Sequence, residues 1–273
     1  MPSAASNLPA CPVCGHGREF GFTAKVLGKY SVEYWHCRNC GLVQSEEPYW
    51  LEEAYGAAIA AADTGLVMRN FSLSAKLAGV IYFCLDAKAT YVDIAGGYGM
   101  LVRLMRDQGF DFYWQDKYCT NALARGFDED QATGPIAGLT AFEVLEHVHD
   151  PIAFVSESLS EHGSKTLIFS TQVYSGDNPP PTDWWYYSFS TGQHISFYQM
   201  RTLKAIAEKV GLRFYSANGM HIFTEHKLNP LLLKILSGQA SYLVAPYVRG
   251  RLGSKTLSDH YLMMGKTSSS GND

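Results

Sequence analysis

Two sets of residues in this 273-residue chain have the types and spacing to do chemistry. The first is Tyr91-Val92-Asp93-Ile94-Ala95-Gly96-Gly97-Tyr98-Gly99, an apolar run that enters a glycine loop and is followed by an amphipathic stretch, Met100–Gln108. Strand, glycine loop and helix in that order bring backbone close to a nucleotide. The dinucleotide pattern G-x-G-x-x-G fails here, because counting from Gly97 puts Val102 where the last glycine belongs. The lysine and serine of a phosphate-binding P-loop are absent too. What remains is an acid at the strand end, Asp93, followed by Ala95, Gly97 and Gly99 at alternate positions. Loop glycines admit a cofactor without a Cβ clash, and the helix N-terminus offers free N–H groups to a carboxylate. Asp93 could take an ammonium group. A bare strand-to-helix turn would need the same glycines for geometry alone.

The second set is cysteine. Cys11-Pro-Val-Cys14-Gly15 and Cys37-Arg-Asn-Cys40-Gly41 are two C-x-x-C-G turns, separated by residues 15–36. Two such turns can set four thiolates tetrahedrally around Zn²⁺. Disulfides or a redox pair are the rivals, and the absence of a basic start followed by an apolar stretch favours zinc and a cytoplasmic setting. Glu19–Val26 and Val32–His36 read as strands joined at Gly28-Lys29, which makes the unit a zinc ribbon. Cys84 and Cys119 read as unpaired structural thiols.

Three later features add to the glycine loop. Asp116 closes the next strand, where a carboxylate can bond both ribose hydroxyls. Thr140-Ala141-Phe142-Glu143-Val144-Leu145-Glu146-His147-Val148-His149-Asp150-Pro151 follows a further strand, and Gly192-Gln193-His194-Ile195-Ser196-Phe197-Tyr198 comes later. The loop resembles motif I of class I S-adenosylmethionine (SAM) methyltransferases, D/E-x-G-x-G-x-G, with Ala95 at the first glycine. The 140–151 segment resembles the F-E-V-L-E-H-x-x-D-P stretch of the broad group that includes quinone and sugar methyltransferases. The resemblance places Glu143 beside the methionine end of SAM, with Glu146-His147 close behind. The 192–198 segment resembles the (E)-H-x-S-F/Y stretch of these enzymes, and sugar C-methyltransferases with an N-terminal zinc module look similar there. Gln193 stands where their glutamate would be, which sets carbanion chemistry in doubt and leaves O- or N-methylation open. The resemblance covers most of residues 8–215. It implies SAM as cofactor, structural zinc on Cys11, Cys14, Cys37 and Cys40, and cofactor contacts from Asp93, Ala95, Gly97, Gly99, Asp116 and Glu143. In related enzymes the segment before the first strand closes over SAM, so Arg69 could meet its carboxylate. A metal on Glu143, His147 and His149 lacks the H-E-x-x-H order that sets two imidazoles on one helix face.

The elements that must position these residues follow from the alternation of strand and helix. It predicts an α/β fold with a Rossmann-like, doubly wound, mostly parallel sheet, preceded by an N-terminal zinc ribbon and a helical cap. The expected organisation is a ribbon over 8–48, a cap over 49–86, and a SAM-binding domain over 87–266 with a helical insertion near 229–250. The cap comprises Tyr49–Ala62 and a helix from Gly65 to about Leu85, capped at Asp63-Thr64. The expected strands of the main domain are Thr90–Ala95, Phe110–Asp116, Ala124–Phe127, Ile136–Phe142, Lys165–Thr171 and Leu212–Ala217. For the last strand, Ser258–Met264 is preferred over Met220–Thr224. Residues 1–10 read as a leader and 267–273 as a disordered tail. No apolar stretch is long enough to span a bilayer.

Methyl transfer from SAM rests mostly on positioning, but a hydroxyl acceptor must also lose a proton, and histidine suits that role near neutral pH. His194 is the first candidate for the base and His147 the second. Trp184, Trp185, Tyr186 and Tyr187, in a long loop over 172–198, could bind an acceptor or could seal the ribbon to the core. The expected acceptor is a small molecule or a saccharide, most of all a sugar hydroxyl of polysaccharide or nucleotide-sugar metabolism. A natural-product or quinone O-methyltransferase and an RNA methyltransferase are the alternatives. The net charge of −4, and a ribbon in which Arg18, Lys25, Lys29 and Arg38 are balanced by Glu19, Glu33, Glu46 and Glu47, argue against nucleic acid. The ribbon could equally mediate a homodimer.

Overall fold

A computed structural model describes residues 9–56 and 64–269, with side chains as far as residue 265. The cap expected at Asp63, the leader over 1–8 and the end of the tail lie outside these residues. Two sheets organise the chain. The first is antiparallel, in the order β1 (Glu19–Val26), β2 (Tyr30–His36), β3 (Val43–Ser45), β8 (Ser196–Phe197). The second, in spatial order, holds β5 (Asp111–Gln115), β4 (Thr90–Ile94), β6 (Ile136–Phe142), β7 (Thr166–Ser170), β10 (Met220–Thr224) and β9 (Arg213–Ala217). β5, β4, β6 and β7 run parallel, and β10 is antiparallel to both β7 and β9. The chain winds from β4 to β5 on one side and returns to β6 on the other. The crevice at the carboxyl ends of β4 and β6 is therefore the switch point where such sheets bind ligands.

The helices are α1 (Leu51–Ala54), α2 (Leu66–Cys84), α3 (Met100–Asp107), α4 (Pro151–Glu161), α5 (Met200–Lys209), α6 (Pro230–Leu236), α7 (Ser241–Leu252) and α8 (Thr256–Ser269). α2 shares a single buried core with β4, α3, β5 and β10, through Leu77, Val80 and Ile81 packed with Val102, Phe110 and Ile222. It belongs to the helical layer of the sandwich rather than to a separate cap. A Cβ at Gly79 would lie 3.2 Å from Val244, so glycine there lets α2 and α7 approach closely.

Two expected strands do not form. Ala124–Phe127 reduces to one parallel bridge, Trp114–Asp128, followed by a single 3-10 turn over Glu129–Gln131. Ser258–Met264 is part of helix α8, and the last strand is β10. The reason for the second lies in Asn218-Gly219, whose φ values of 51° and 78° make the tight turn that folds β9 back onto β10. The helices over 229–250 are consequently not an insertion but the start of a C-terminal helical extension.

A buried charge pair fastens that extension. Arg106 on α3 makes a bidentate contact with Asp259 on α8, at 2.8 Å to each oxygen, and both side chains are buried. Its guanidinium also lies 3.7 Å from the Phe127 ring centroid. Removing Asp259 leaves the buried Arg106 with a single carboxylate, Asp111 at 3.1 Å. Asp259→Ala is expected to cost about 3 kcal/mol in urea unfolding, and a loss within experimental error would show that α8 contributes nothing to the core.

Candidate functional site

The loop after β4 follows a left-handed path at Ala95 (φ 62°), Gly97 (φ 55°) and Gly99 (φ 82°). A Cβ on Gly96 would lie 2.8 Å from Trp114, and one on Gly99 would lie 2.7 Å from the Asn121 carbonyl oxygen. Trp114 Nε1 donates to Gly97 O at 2.8 Å. The loop is thus shaped by close packing from β5 and from the segment after it. Asp93 is buried at the end of β4 and accepts from Thr140 Oγ1 on β6 at 2.5 Å, across the switch point. Burial pushes its carboxyl up to about 7, Thr140 works against the rise, and the charge of Asp116 adds to it. Asp116 accepts from Gly97 N at 2.8 Å and from the N–H groups of Tyr118 and Cys119 at 2.7 and 2.8 Å. A carboxylate has about four lone-pair sites, so with three N–H donors in place one remains for a ribose hydroxyl.

Across the crevice, Glu143 ends β6 with φ 55°, a strained conformation for a side chain of this size. Ser170 on β7 holds it there by accepting from Glu143 N at 3.1 Å and donating to Glu143 Oε1. Burial raises the Glu143 carboxyl and the Glu146 charge raises it further, while Ser170, Arg69 and His194 oppose the rise. Arg69, from α2, therefore directs its charge toward this crevice.

His194 and His147 stand edge to face, with ring centroids 4.9 Å apart. Each lies against a main-chain carbonyl. His194 Nδ1 is 2.7 Å from Tyr186 O and His147 Nδ1 is 3.0 Å from Gln193 O. A carbonyl only accepts, so in each ring Nδ1 carries the proton and Nε2 keeps the lone pair. Burial, with the charge of His194 adding to it, drives His147 down to about 3. Glu146 is fully buried behind them, and neither of its oxygens has a hydrogen-bond partner among the described residues. The Tyr186 hydroxyl meets Thr171 Oγ1 at 3.3 Å and accepts from Gln172 N at 3.0 Å, and both hydroxyls face the Glu146 carboxyl. Burial raises Glu146, and a charge on His194 counters that rise. One ligand-capable atom from each of Glu146, His147 and His194 falls within 4.8 Å of the others, a set able to pass a proton or hold a cation. This trio, rather than Glu143, His147 and His149, is the one that converges. His149 instead lies 3.5 Å from Glu47 at the ribbon.

The four aromatic residues of the long loop separate. Tyr187 is fully buried, donates to Pro180 O at 3.0 Å and packs with Tyr34, Val43 and Phe197 in the ribbon's core. It acts as a seal and presents no face to an acceptor. Trp184 is half-buried against the same core, while Tyr186 lies beside His194, with ring centroids 4.7 Å apart. Trp185 is 73% exposed and edges onto Tyr186. A further aromatic wall comes from Tyr55, stacked on Tyr118 at 5.0 Å and 6.2 Å from His147.

The ribbon's four sulfurs converge within 4.8 Å, with Cys11 and Cys40 3.6 Å apart and Cys14 and Cys37 3.4 Å apart. A disulfide needs about 2.05 Å, whereas Zn–S bonds of about 2.3 Å give a tetrahedral edge of about 3.8 Å. Each knuckle closes with a glycine N–H bonded to the first cysteine's carbonyl, Gly15 to Cys11 at 2.9 Å and Gly41 to Cys37 at 2.7 Å. These residues suit a tetrahedral divalent ion.

The model of a methyltransferase domain matches residues 69–217, more than half of the chain and all of the crevice. The chain belongs to the methyltransferase domain family. The donor set would fit SAM: Asp93 could take the ammonium, the first-turn N–H groups of α3 the carboxylate, and Asp116 the ribose. Solved structures similar to this methyltransferase include an O-methyltransferase family protein from Burkholderia thailandensis (13% identity, 65% of this chain and 62% of that one, TM-score 0.48). TnmH (17%, 65% and 60%, 0.45) and human N-acetylserotonin methyltransferase in complex with SAM (14%, 65% and 66%, 0.41) are also similar. The chain spans about three fifths to two thirds of the length of these structures. No curated protein matches it.

Asp93 sets a pH signature for cofactor binding. Its folded value of about 7 lies above the ordinary value of about 4, so its contribution to stability is complete at low pH and is lost as pH rises toward 7. An ammonium beside it favours the ionised form. The thermal shift given by S-adenosylhomocysteine is therefore expected to grow from pH 5.5 to 7.5, and Asp93→Asn should flatten that growth. An unchanged slope in the variant would remove Asp93 from the cofactor site.

Proposed function

We propose that this methyltransferase moves the methyl of SAM to an acidic hydroxyl of a small molecule, a phenol or enol of the natural-product kind, with His194 as the base. The observation that carries this reading is the placement of His194. Its Nδ1–H is held by Tyr186 O, its Nε2 lone pair is free to take a proton, and the unpartnered carboxylate of Glu146 lies behind it. When His194 becomes an imidazolium, Glu146 is its counter-ion, so proton uptake and carboxylate charge reinforce each other. His147, held neutral at about 3, is too weak a base and lines the pocket instead. SAM supplies an already activated methyl group, and the chain's own work is to orient the hydroxyl and accept its proton.

The phenol or enol follows from matching base to acid. A phenolic hydroxyl titrates near 10, as tyrosine does, within reach of an imidazole, whereas a sugar alcohol is a far weaker acid. The Tyr55–Tyr118 stack and the exposed Trp185 offer flat faces for such a ring. The sugar reading rests on the resemblance to sugar-pathway enzymes with a zinc module, whereas the ribbon's contacts with the loop bearing His194 are main-chain pairing and a dry aromatic core.

Labelled methyl transfer onto phenols, nucleotide sugars and RNA is expected to mark phenols, and labelling confined to nucleotide sugars would overturn this choice. With a working acceptor, His194→Ala should lower kcat by about 10²- to 10⁴-fold while S-adenosylhomocysteine still binds. A near-normal kcat would remove His194 as the base.

The reading includes one structural Zn²⁺ on Cys11, Cys14, Cys37 and Cys40. Metal analysis should find one zinc per chain, lost in Cys37→Ser. The variant should also lose methyl transfer, because Thr202 Oγ1 donates to Cys40 O at 2.7 Å and Tyr174 OH donates to Gly41 O at 2.5 Å. Full activity without metal would contradict a zinc-ordered ribbon.

A further inference from the structure

The C-terminal extension has a surface that methyl transfer does not use. In α7, Ser241, Ala245 and Val248 are buried against α2 and its neighbours. On the opposite side Tyr242, Leu243, Pro246, Tyr247 and Gly250 form an exposed stripe spaced i, i+1, i+4, i+5, i+8, and Leu243 is 82% exposed. A helix apolar on both faces has buried only half of what its sequence is built to bury. The stripe continues onto α6 through exposed Leu231 and Ile235. It also reaches the first turns of α2, where Phe71 and Tyr242 line one cleft of about 500 Å³ with Arg249 at its edge.

Charge identifies what covers this face. Between Glu225 and Asp259 lie Lys227, Lys234, Arg249, Arg251 and Lys255 and not one Asp or Glu, in a chain whose net charge is −4. Lys227, Lys234, Arg249 and Arg251 are exposed among the apolar side chains. A second copy of the same face would set cation against cation. An anionic lipid surface matches both components, because aliphatic and aromatic side chains enter the headgroup boundary while Lys and Arg meet phosphate. α6 and α7 meet at 90°, and together they have the length and composition of a broken apolar span, while no single helix among the described residues could cross a bilayer.

We propose that α6, α7 and the outer side of the first turns of α2 rest on an anionic membrane surface without crossing it. Arg69, whose charge reaches Glu143, is flanked by exposed Val67, Met68 and Phe71. Docking therefore sets the mouth of the crevice beside the lipid headgroups.

Vesicle flotation of the full chain tests this. Vesicles of phosphatidylcholine with about one third phosphatidylglycerol should carry the protein, phosphatidylcholine alone should not, and added salt should release it. Leu243→Asp and the double variant Arg249→Glu/Arg251→Glu should each weaken flotation by about tenfold or more. Their thermal shift with S-adenosylhomocysteine, read as a folding control, should match that of the parent chain. Three outcomes would overturn the proposal: no flotation, flotation indifferent to both variants, or a dimer in sedimentation velocity that Leu243→Asp dissolves while vesicles capture nothing.

Discussion

The pairing of β3 with β8 holds this methyltransferase together at the place that matters. Val43 and Gln44 of the ribbon lie opposite Phe197 and Ser196. Gln44 Nε2 also donates to His149 O at 2.6 Å and to Ser196 Oγ at 3.0 Å, while its carbonyl accepts from Arg18 at 2.8 Å. One ribbon side chain thus joins the loop after β6 to the strand that follows His194. Trp50 Nε1 donates to Gly192 O and Gln193 Nε2 to Ala54 O, both at 2.8 Å, which fixes the two residues before His194 from the ribbon side. Gln193 is used for that anchoring.

A concentration of buried acid follows from this architecture. Asp93, Glu143 and Glu146 come from two neighbouring strand ends and are all raised by burial. Together they make the crevice a place where a cation is welcome, whether the sulfonium cofactor or a transient imidazolium. The neutral histidine, the strained Glu143 and the left-handed Ala95 are local costs at this same edge. The rest of the sheet offsets them with ordinary packing.

Much of the fold was legible because it is written in local signals. Short continuous apolar runs marked β4, β6 and β7, and paired C-x-x-C-G turns marked the ribbon. The strand ends that carry Asp93 and Glu143 came with them. Features decided by distant partners were not legible. Ser258–Met264 has strand-like bulk, but Asp259 finds Arg106 and the segment lies within helix α8. Tyr187 could not be told from Trp185 in the sequence, since their difference lies in which of them meets Tyr34 and Phe197. Ser170 carried no motif and reaches the site only through the sheet. Asn218-Gly219 was a readable turn signal, and giving it more weight than residue bulk would have placed β10.

The β3–β8 pairing also bears on when the protein becomes an enzyme. Gln44 and Ser196 lie 152 positions apart. The edge strand of the ribbon must therefore wait for a partner made much later in synthesis. Long-range contacts of this kind close slowly, because loop entropy must be overcome before the contact forms. The ribbon, closed over a short loop, can order early, whereas the loop bearing His194 stays unformed until β7 and β8 arrive. A nascent chain could thus have its cysteine knuckles in place before the loop that bears His194 is ordered.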